Sequence, residues 1–353
     1  MALLDSQQKL TNMIPMNTTN YKSRKLSMMI ASLSFTCAFE AAAQNVIIVS
    51  VDGLRPSAIT SQGAGVLPNF YRFRNEGAFT DDARADETIT KTLPNHVSMI
   101  TGRQVAGASG HNWTSNSTPP TGVTLHTNKG SYVNSIYNVA DTAGVGTSMY
   151  ASKGKFSLFQ ASYSGEIDSY VNNSDTSVLV SGFTSQLVSQ QWGLSFLHLR
   201  DADSAGHSFR FGSTQYLAAV ANTDNLLGQL LSAVEGNAGL ASDTTIILTS
   251  DHGGTGTGHS DNTNPLNYTV PLYVWGAGAQ AGADLYALNP QRATIKSREV
   301  GNLAMDLLNL PSISGSTGNV NQDLSIAPEP SSSVLMMLGG FFFIWRRSPR
   351  SIS

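Results

Sequence analysis

Apolar residues along this chain gather in short runs that stop at acidic or imidazole side chains. Residues 46–51 (VIIVSV) end at Asp52 and Gly53, and residues 194–199 (LSFLHL) lead into Asp203 and His207. A third run reaches Asp251 and His252 in ILTSDHGGTGTGH, with His259 beyond a glycine-rich turn. Short runs rich in β-branched residues predict strands buried on both faces, as in a parallel sheet covered by helices. Further strands are predicted at 147–151 and 270–275. Helices are predicted over 216–234, with Asn222, Asp224 and Asn225 on its polar side, and over 298–308. The Gly, Ser, Thr and Asn-rich stretch 107–135 reads as a loop excursion near the site.

In open α/β sheets ligands lie beyond the carboxyl ends of the strands. The side chains gathered there are Asp52, Asp203, His207, Asp251, His252 and His259. Carboxylates and imidazoles bind divalent cations at neutral pH. Six of them exceed the needs of one tetrahedral ion and suit two ions sharing a substrate. A nucleophile is available in TKTLPNHVSMITG (residues 90–102). Pro94 suits the first turn of a helix, and Val97, Met99 and Ile100 give that helix an apolar side. Thr92 then sits at the helix N-terminus, where free N–H groups and the dipole favour an anion.

VDGLRP, KTLPNHVSMITG, DADSAGH and SDHGG together resemble the alkaline phosphatase superfamily, in its type I phosphodiesterase/nucleotide pyrophosphatase branch. The resemblance spans residues 45–310. It implies a three-layer α/β fold with a mostly parallel central sheet flanked by helices. It also implies two divalent ions, usually zinc. Asp52, Thr92, Asp251 and His252 would hold one, and Asp203, His207 and His259 the other. No histidine follows His259, so His259 completes the set, as in branches that place this ligand close to the Asp-His pair. Thr92 is the implied nucleophile, and Asn112 in SGHNW is the match for the asparagine that steadies the transferred group. The implied activity is hydrolysis of phosphodiester or pyrophosphate bonds in a small phosphoester. Alternatives are phosphomonoester hydrolysis, transfer to another alcohol, and a non-catalytic surface protein that keeps the fold.

Other polar residues have plainer readings. Lys153 and Lys155, in YASKGKF, end an apolar run and either contact a phosphate or form a solvated pair. His96 reads as helix packing or as support for the ligands, and His111, His126 and His198 as structural or surface residues. Asp201 reads as a cap or a hydrogen-bond acceptor behind the ligands.

The two ends bear on location. Lys22, Arg24 and Lys25 precede an apolar stretch over 26–39 and then three alanines, the order of a secretory signal peptide over residues 1–43, with Met13 or Met16 an alternative start. The only cysteine, Cys37, falls within it, which leaves the mature chain without disulfides. Residues 44–311 form the expected phosphoesterase domain and 312–327 a polar linker. From 328, Pro-Glu-Pro, an apolar run and Arg346, Arg347 and Arg350 resemble a PEP-CTERM sorting signal of Gram-negative bacteria. That run is short against the roughly 20 residues of a membrane span. The expectation is export, transient membrane association, processing by an exosortase and display at the surface or in the matrix, or else retention as an anchor. A formal charge of −3 gives no basic surface for nucleic acid.

Overall fold

A computed structural model describes residues 45–190, 192–318 and 324–328. The signal-peptide and sorting-signal segments lie outside these residues, apart from Pro328. Eight strands form one sheet: β1 Asn45–Val51, β2 Ala78–Arg84, β3 Thr147–Ala151, β4 Ser169–Asn172, β5 Leu194–Leu199, β6 Thr244–Thr249, β7 Thr269–Gly276 and β8 Ala283–Asp284. Their order is β4-β3-β5-β1-β6-β7-β2-β8. Pairing is parallel from β4 through β6, and β7 runs antiparallel to both of its neighbours. Central β1 is buried at every position, which is why its sequence is apolar almost without interruption.

Alternation along β1 feeds two cores. Val46 and Ile48 point into one, with the helices Thr92–Thr101, Ile136–Thr142 and Val300–Leu307. Ile47, Val49 and Val51 point into the other, with Pro68–Glu76, Thr176–Gln190 and Thr214–Glu235. Helices therefore cover both faces, giving the expected three layers. Helix Thr214–Glu235 matches its sequence signal closely, yet Asp224 does not face solvent. It is buried and accepts hydrogen bonds from the backbone N–H of Asn69 (3.2 Å) and Phe70 (2.7 Å), capping the helix Pro68–Glu76.

The stretch read as a polar linker is also different. Ile313, Leu324 and Ile326 are buried, Thr317 N–H donates to the Gly102 carbonyl, and Gln280 N–H donates to the Ile326 carbonyl. Its few apolar residues anchor otherwise polar chain to the body, which thus extends past residue 311. Among the described residues no helix is long and apolar enough to cross a membrane.

Candidate active site

Strand register gathers the acids. Ser50 of β1 lies opposite Thr249 of β6, so Asp52 and Asp251, each two residues further on, emerge side by side. On the other flank Ser50 lies opposite His198 of β5, and the chain then turns into the helix Asp201–Phe209, which carries Asp203 and His207. Backbone hydrogen bonds tie this junction together, from Asp52 N–H to Leu199 O (2.9 Å) and from Asp203 N–H to Asp52 O (3.1 Å). Gly53 is required here. It has φ +69°, and a Cβ on it would lie 3.0 Å from both Cα and Cβ of Asp203.

Asp52, Asp251 and His252 are fully buried, and Asp203 and His259 nearly so. Each buried acid keeps one oxygen without a hydrogen bond: Oδ1 of Asp52, Oδ1 of Asp203 and Oδ2 of Asp251. Those same oxygens face imidazole nitrogens. His252 Nε2 is 3.4 Å from Asp52 Oδ1 and 3.2 Å from Asp251 Oδ2, while Asp203 Oδ1 is 3.4 Å from His207 Nε2 and 4.0 Å from His259 Nε2. The opposite ring nitrogen is committed in every case. Nδ1–H donates to the carbonyl of Gly253 from His252 (2.7 Å), of Thr257 from His207 (2.7 Å) and of Thr90 from His259. In the neutral rings this turns bare Nε2 lone pairs toward bare carboxylate oxygens, an arrangement that cations between them would satisfy.

Electrostatics agree. Burial, reinforced by Asp52, pushes the Asp251 carboxyl up to about 7. Burial works against a charged His252, but Asp251, Asp203 and Asp52 outweigh it and raise its affinity for a proton. Burial and His252 push His259 down to about 3. The donor set thus fits divalent ions. It closes into two groups, Asp52 with Asp251 and His252, and Asp203 with His252 and His259. His252 borders both groups. His207 stands just outside the tight pair of clusters but aims at the same oxygen of Asp203 as His259 does.

Thr92 is the first residue of its helix, and its Oγ1 lies 3.4 Å from His252 Nε2. It lines a cavity of about 490 Å³ that is also bordered by Asn116, Lys153, Lys155, Asp203 and His207. Asn112 does not reach this cavity. It has φ 60° between the buried His111 and Trp113, so the turn sends its side chain outward. Asn116 borders the cavity instead. Its Oδ1 accepts the N–H of Leu93 (2.9 Å), the residue after Thr92, and its Nδ2 has no partner among the described residues. Of residues 107–135, Asn116 and Thr118 border this cavity, whereas Leu125–Lys129 form a short helix and Leu125 and Val133 pack into the core.

Lys153 lies within the ligand cluster. Its Nζ is 2.5 Å from Asp52 Oδ2 and 2.6 Å from Asp203 Oδ2. Burial opposes its charge, but the two carboxylates outweigh that and hold its pKa above the usual lysine range. Lys153 thus grips the Oδ2 atoms and leaves both Oδ1 atoms free for ions. His198 is neither surface nor simple packing. Its Nδ1 accepts from Ser152 and its Nε2–H donates to Asp52 Oδ2 at 2.9 Å. His96 lies behind Thr92, with Nδ1–H on the Thr92 carbonyl (2.7 Å) and Nε2 accepting from Ser50 Oγ (2.8 Å). Asp201 accepts from Thr176 Oγ1, His111 pairs with Ser98, and His126 donates to the Ser162 carbonyl; none belongs to the cluster.

The fold is the alkaline phosphatase-like three-layer arrangement, with its cluster of acids and imidazoles beyond the carboxyl ends of the central strands. The type I phosphodiesterase / nucleotide pyrophosphatase model matches residues 46–323, and the chain belongs to that family. Among solved structures it resembles an inactive threonine-to-alanine variant of murine ectonucleotide pyrophosphatase / phosphodiesterase 5 in complex with AMP. That match has TM-score 0.56 and 16% identity, covering 76% of this chain and 96% of that one. It is also similar to the lipoteichoic acid synthase LtaP of Listeria monocytogenes, with TM-score 0.56 and 13% identity over 81% and 78% of the two chains. Among curated proteins, GPI ethanolamine phosphate transferase 1 of Candida glabrata is 35% identical over 120 residues. Those residues are 32% of this chain and 13% of the transferase, so only a small part of that protein is shared.

Proposed function

We propose that the protein hydrolyses phosphodiester or pyrophosphate bonds through a covalent phospho-Thr92 intermediate. The observation that carries this reading is the Thr92 hydroxyl at a helix N-terminus, 3.4 Å from His252 Nε2 and open to the cavity beside three under-coordinated carboxylates. Divalent ions, zinc on the family's pattern, would supply Lewis acidity that favours the threonine alkoxide and offsets charge on the transferred group. Asp52, Asp251 and His252 would hold one, and Asp203, His207 and His259 the other.

Thr92 Oγ1 forms a bond to phosphorus as the bond to the leaving oxygen breaks, and the leaving alkoxide takes a proton from solvent. Water then attacks the phosphothreonine, and Thr92 recovers its proton. The helix N-terminus and the free amide of Asn116 face the charge that develops on the phosphoryl oxygens. The likeness to ethanolamine phosphate transferases favours a second reading in which an alcohol takes the place of water. The chemistry up to phosphothreonine is unchanged.

The full chain with zinc supplied should turn over bis(p-nitrophenyl) phosphate with kcat/KM at least about tenfold above that for p-nitrophenyl phosphate. A preference for the monoester would make the protein a phosphomonoesterase, and turnover of neither would remove the hydrolase reading. Export, exosortase processing and surface display belong to the same proposal. They rest on the charged, apolar, small-residue order at the start and the Pro-Glu-Pro, apolar, basic order at the end. A chain ending at Ala327 keeps the buried Ile326 and should be released soluble and active. Retention of that shortened chain on membranes would contradict the sorting role.

A further inference from the structure

The cavity at Thr92 is lined mainly by polar and charged side chains. No phenyl, phenol or indole ring and no aliphatic side chain lines it. Its lining side chains carry hydroxyls, an amide, His207, Asp203 and three cations, beside Gly154. Lys153 is spent on Asp52 and Asp203. Lys155 and Arg200 are not. Neither forms a salt bridge among the described residues, and Arg200 only donates from Nε to Ser204 Oγ at 3.1 Å. The sole carboxylate on the wall, Asp203, is already committed to Lys153 and the ligand cluster.

That lining discriminates between kinds of substrate. Base affinity usually draws on stacking against aromatic rings, and the wall offers none. An ammonium headgroup needs a carboxylate or an aromatic face, and would meet Lys155 and Arg200 instead. A second phosphate would pair with those two cations, and Thr118, Ser204 and Ser208 supply hydroxyls for a polyol. We propose that the group held beside the reacting phosphorus is a polyol phosphate, and not a nucleoside or an ammonium headgroup. This rests on Thr92 as the reacting centre.

Calorimetric binding to the full-length Thr92→Ala protein, with zinc supplied, tests the inference apart from turnover. The ligands are glycerol 1,3-bisphosphate, phosphocholine and AMP. Glycerol bisphosphate should bind at least about tenfold tighter than either of the others. Replacing Lys155 and Arg200 together by Gln, which keeps most of the side-chain length, should shrink that ratio to about twofold. Because the ratio is taken within one protein, any general loss of affinity cancels. Equal or tighter binding of AMP or phosphocholine would overturn the proposal, as would an unchanged ratio in a double variant with the parent melting temperature. If the ratio behaves as expected but the wild-type protein cleaves no diester, the hydrolase reading fails and the inference about this wall stands.

Discussion

The two corners of the candidate ion-binding cluster are built differently. Asp52, Asp251 and His252 project from the ends of adjacent strands β1 and β6, are completely buried, and are backed by His198, His96 and Ser50. Asp203 and His207 come from a helix and His259 from a glycine-rich loop, and the His207 side chain is 46% exposed. Strand ends locked by register on both sides give a preorganised pocket, whereas a helix turn and a loop leave a corner that water and a leaving group can reach. The buried corner is suited to activating Thr92 and the open one to receiving what departs.

Removing a ligand from each corner should expose this difference. Asp251→Asn takes a carboxylate oxygen from a site with no solvent to replace it, and turnover should fall by about a thousandfold or more. His207→Ala should cost only about ten- to a hundredfold, because water can fill the exposed position. Ion content by mass spectrometry should drop at the buried corner in the first variant and fall only partly at the open corner in the second. Equal losses of rate and ion content would erase the distinction.

The supporting layer gives a smaller effect. His198→Phe deletes the N–H that orients Asp52 Oδ2 and should weaken ion affinity at the buried corner by about 10- to 100-fold, leaving the open corner unaffected. Titration with a zinc chelator competitor reads both affinities in one experiment.

The slightest contrast is in pH dependence. Burial and Asp52 hold the Asp251 carboxyl up at about 7, so below that pH an ion must displace a proton to bind. Affinity at the buried corner should rise with pH up to about 7. His259, pushed down to about 3 by burial and His252, is neutral across this range, so the open corner should respond less. The contribution of Asp251 to folding of the ion-free protein should move the opposite way. A carboxyl raised from its ordinary 3.8 contributes stability at low pH and loses it as pH climbs through the folded value. Chemical denaturation of chelator-treated wild-type and Asp251→Asn proteins between pH 4 and 8 checks the sign. The buried histidines cancel in the difference, so wild-type stability relative to the variant should fall across the window, and a relative stability that rises would contradict it.

The parts of this design that were legible in the sequence are those with a local cause. β1, β5, β6 and β7 read directly as apolar runs because they are buried on both faces, and Pro94 and the apolar side of 97–100 mark the nucleophile helix. β2 (AFTDDAR) hides because Asp81, Asp82 and Arg84 interrupt its apolar positions and its partner β7 supplies the pairing. β4 and β8 are too short to leave a pattern. His198 looked like an ordinary core residue of a strand, because its role depends on which residue of β1 lies opposite it. Asn112 is the sequence match but Asn116 borders the cavity, since no composition signal fixes how a turn aims successive side chains. Asp224 likewise sat among polar neighbours, and only the packing of another helix end shows what it caps.

The central claim is that Thr92 carries the phosphoryl group, and acid quenching during turnover of bis(p-nitrophenyl) phosphate tests it most directly. Peptide mass spectrometry of the quenched wild-type protein should find a phosphorylated species at Thr92 that decays when substrate is exhausted. The Thr92→Ala protein should bind its ions, remain unlabelled and show turnover reduced by about a thousandfold or more. Wild-type-like turnover by Thr92→Ala, or phosphorylation confined to another residue, would contradict the account.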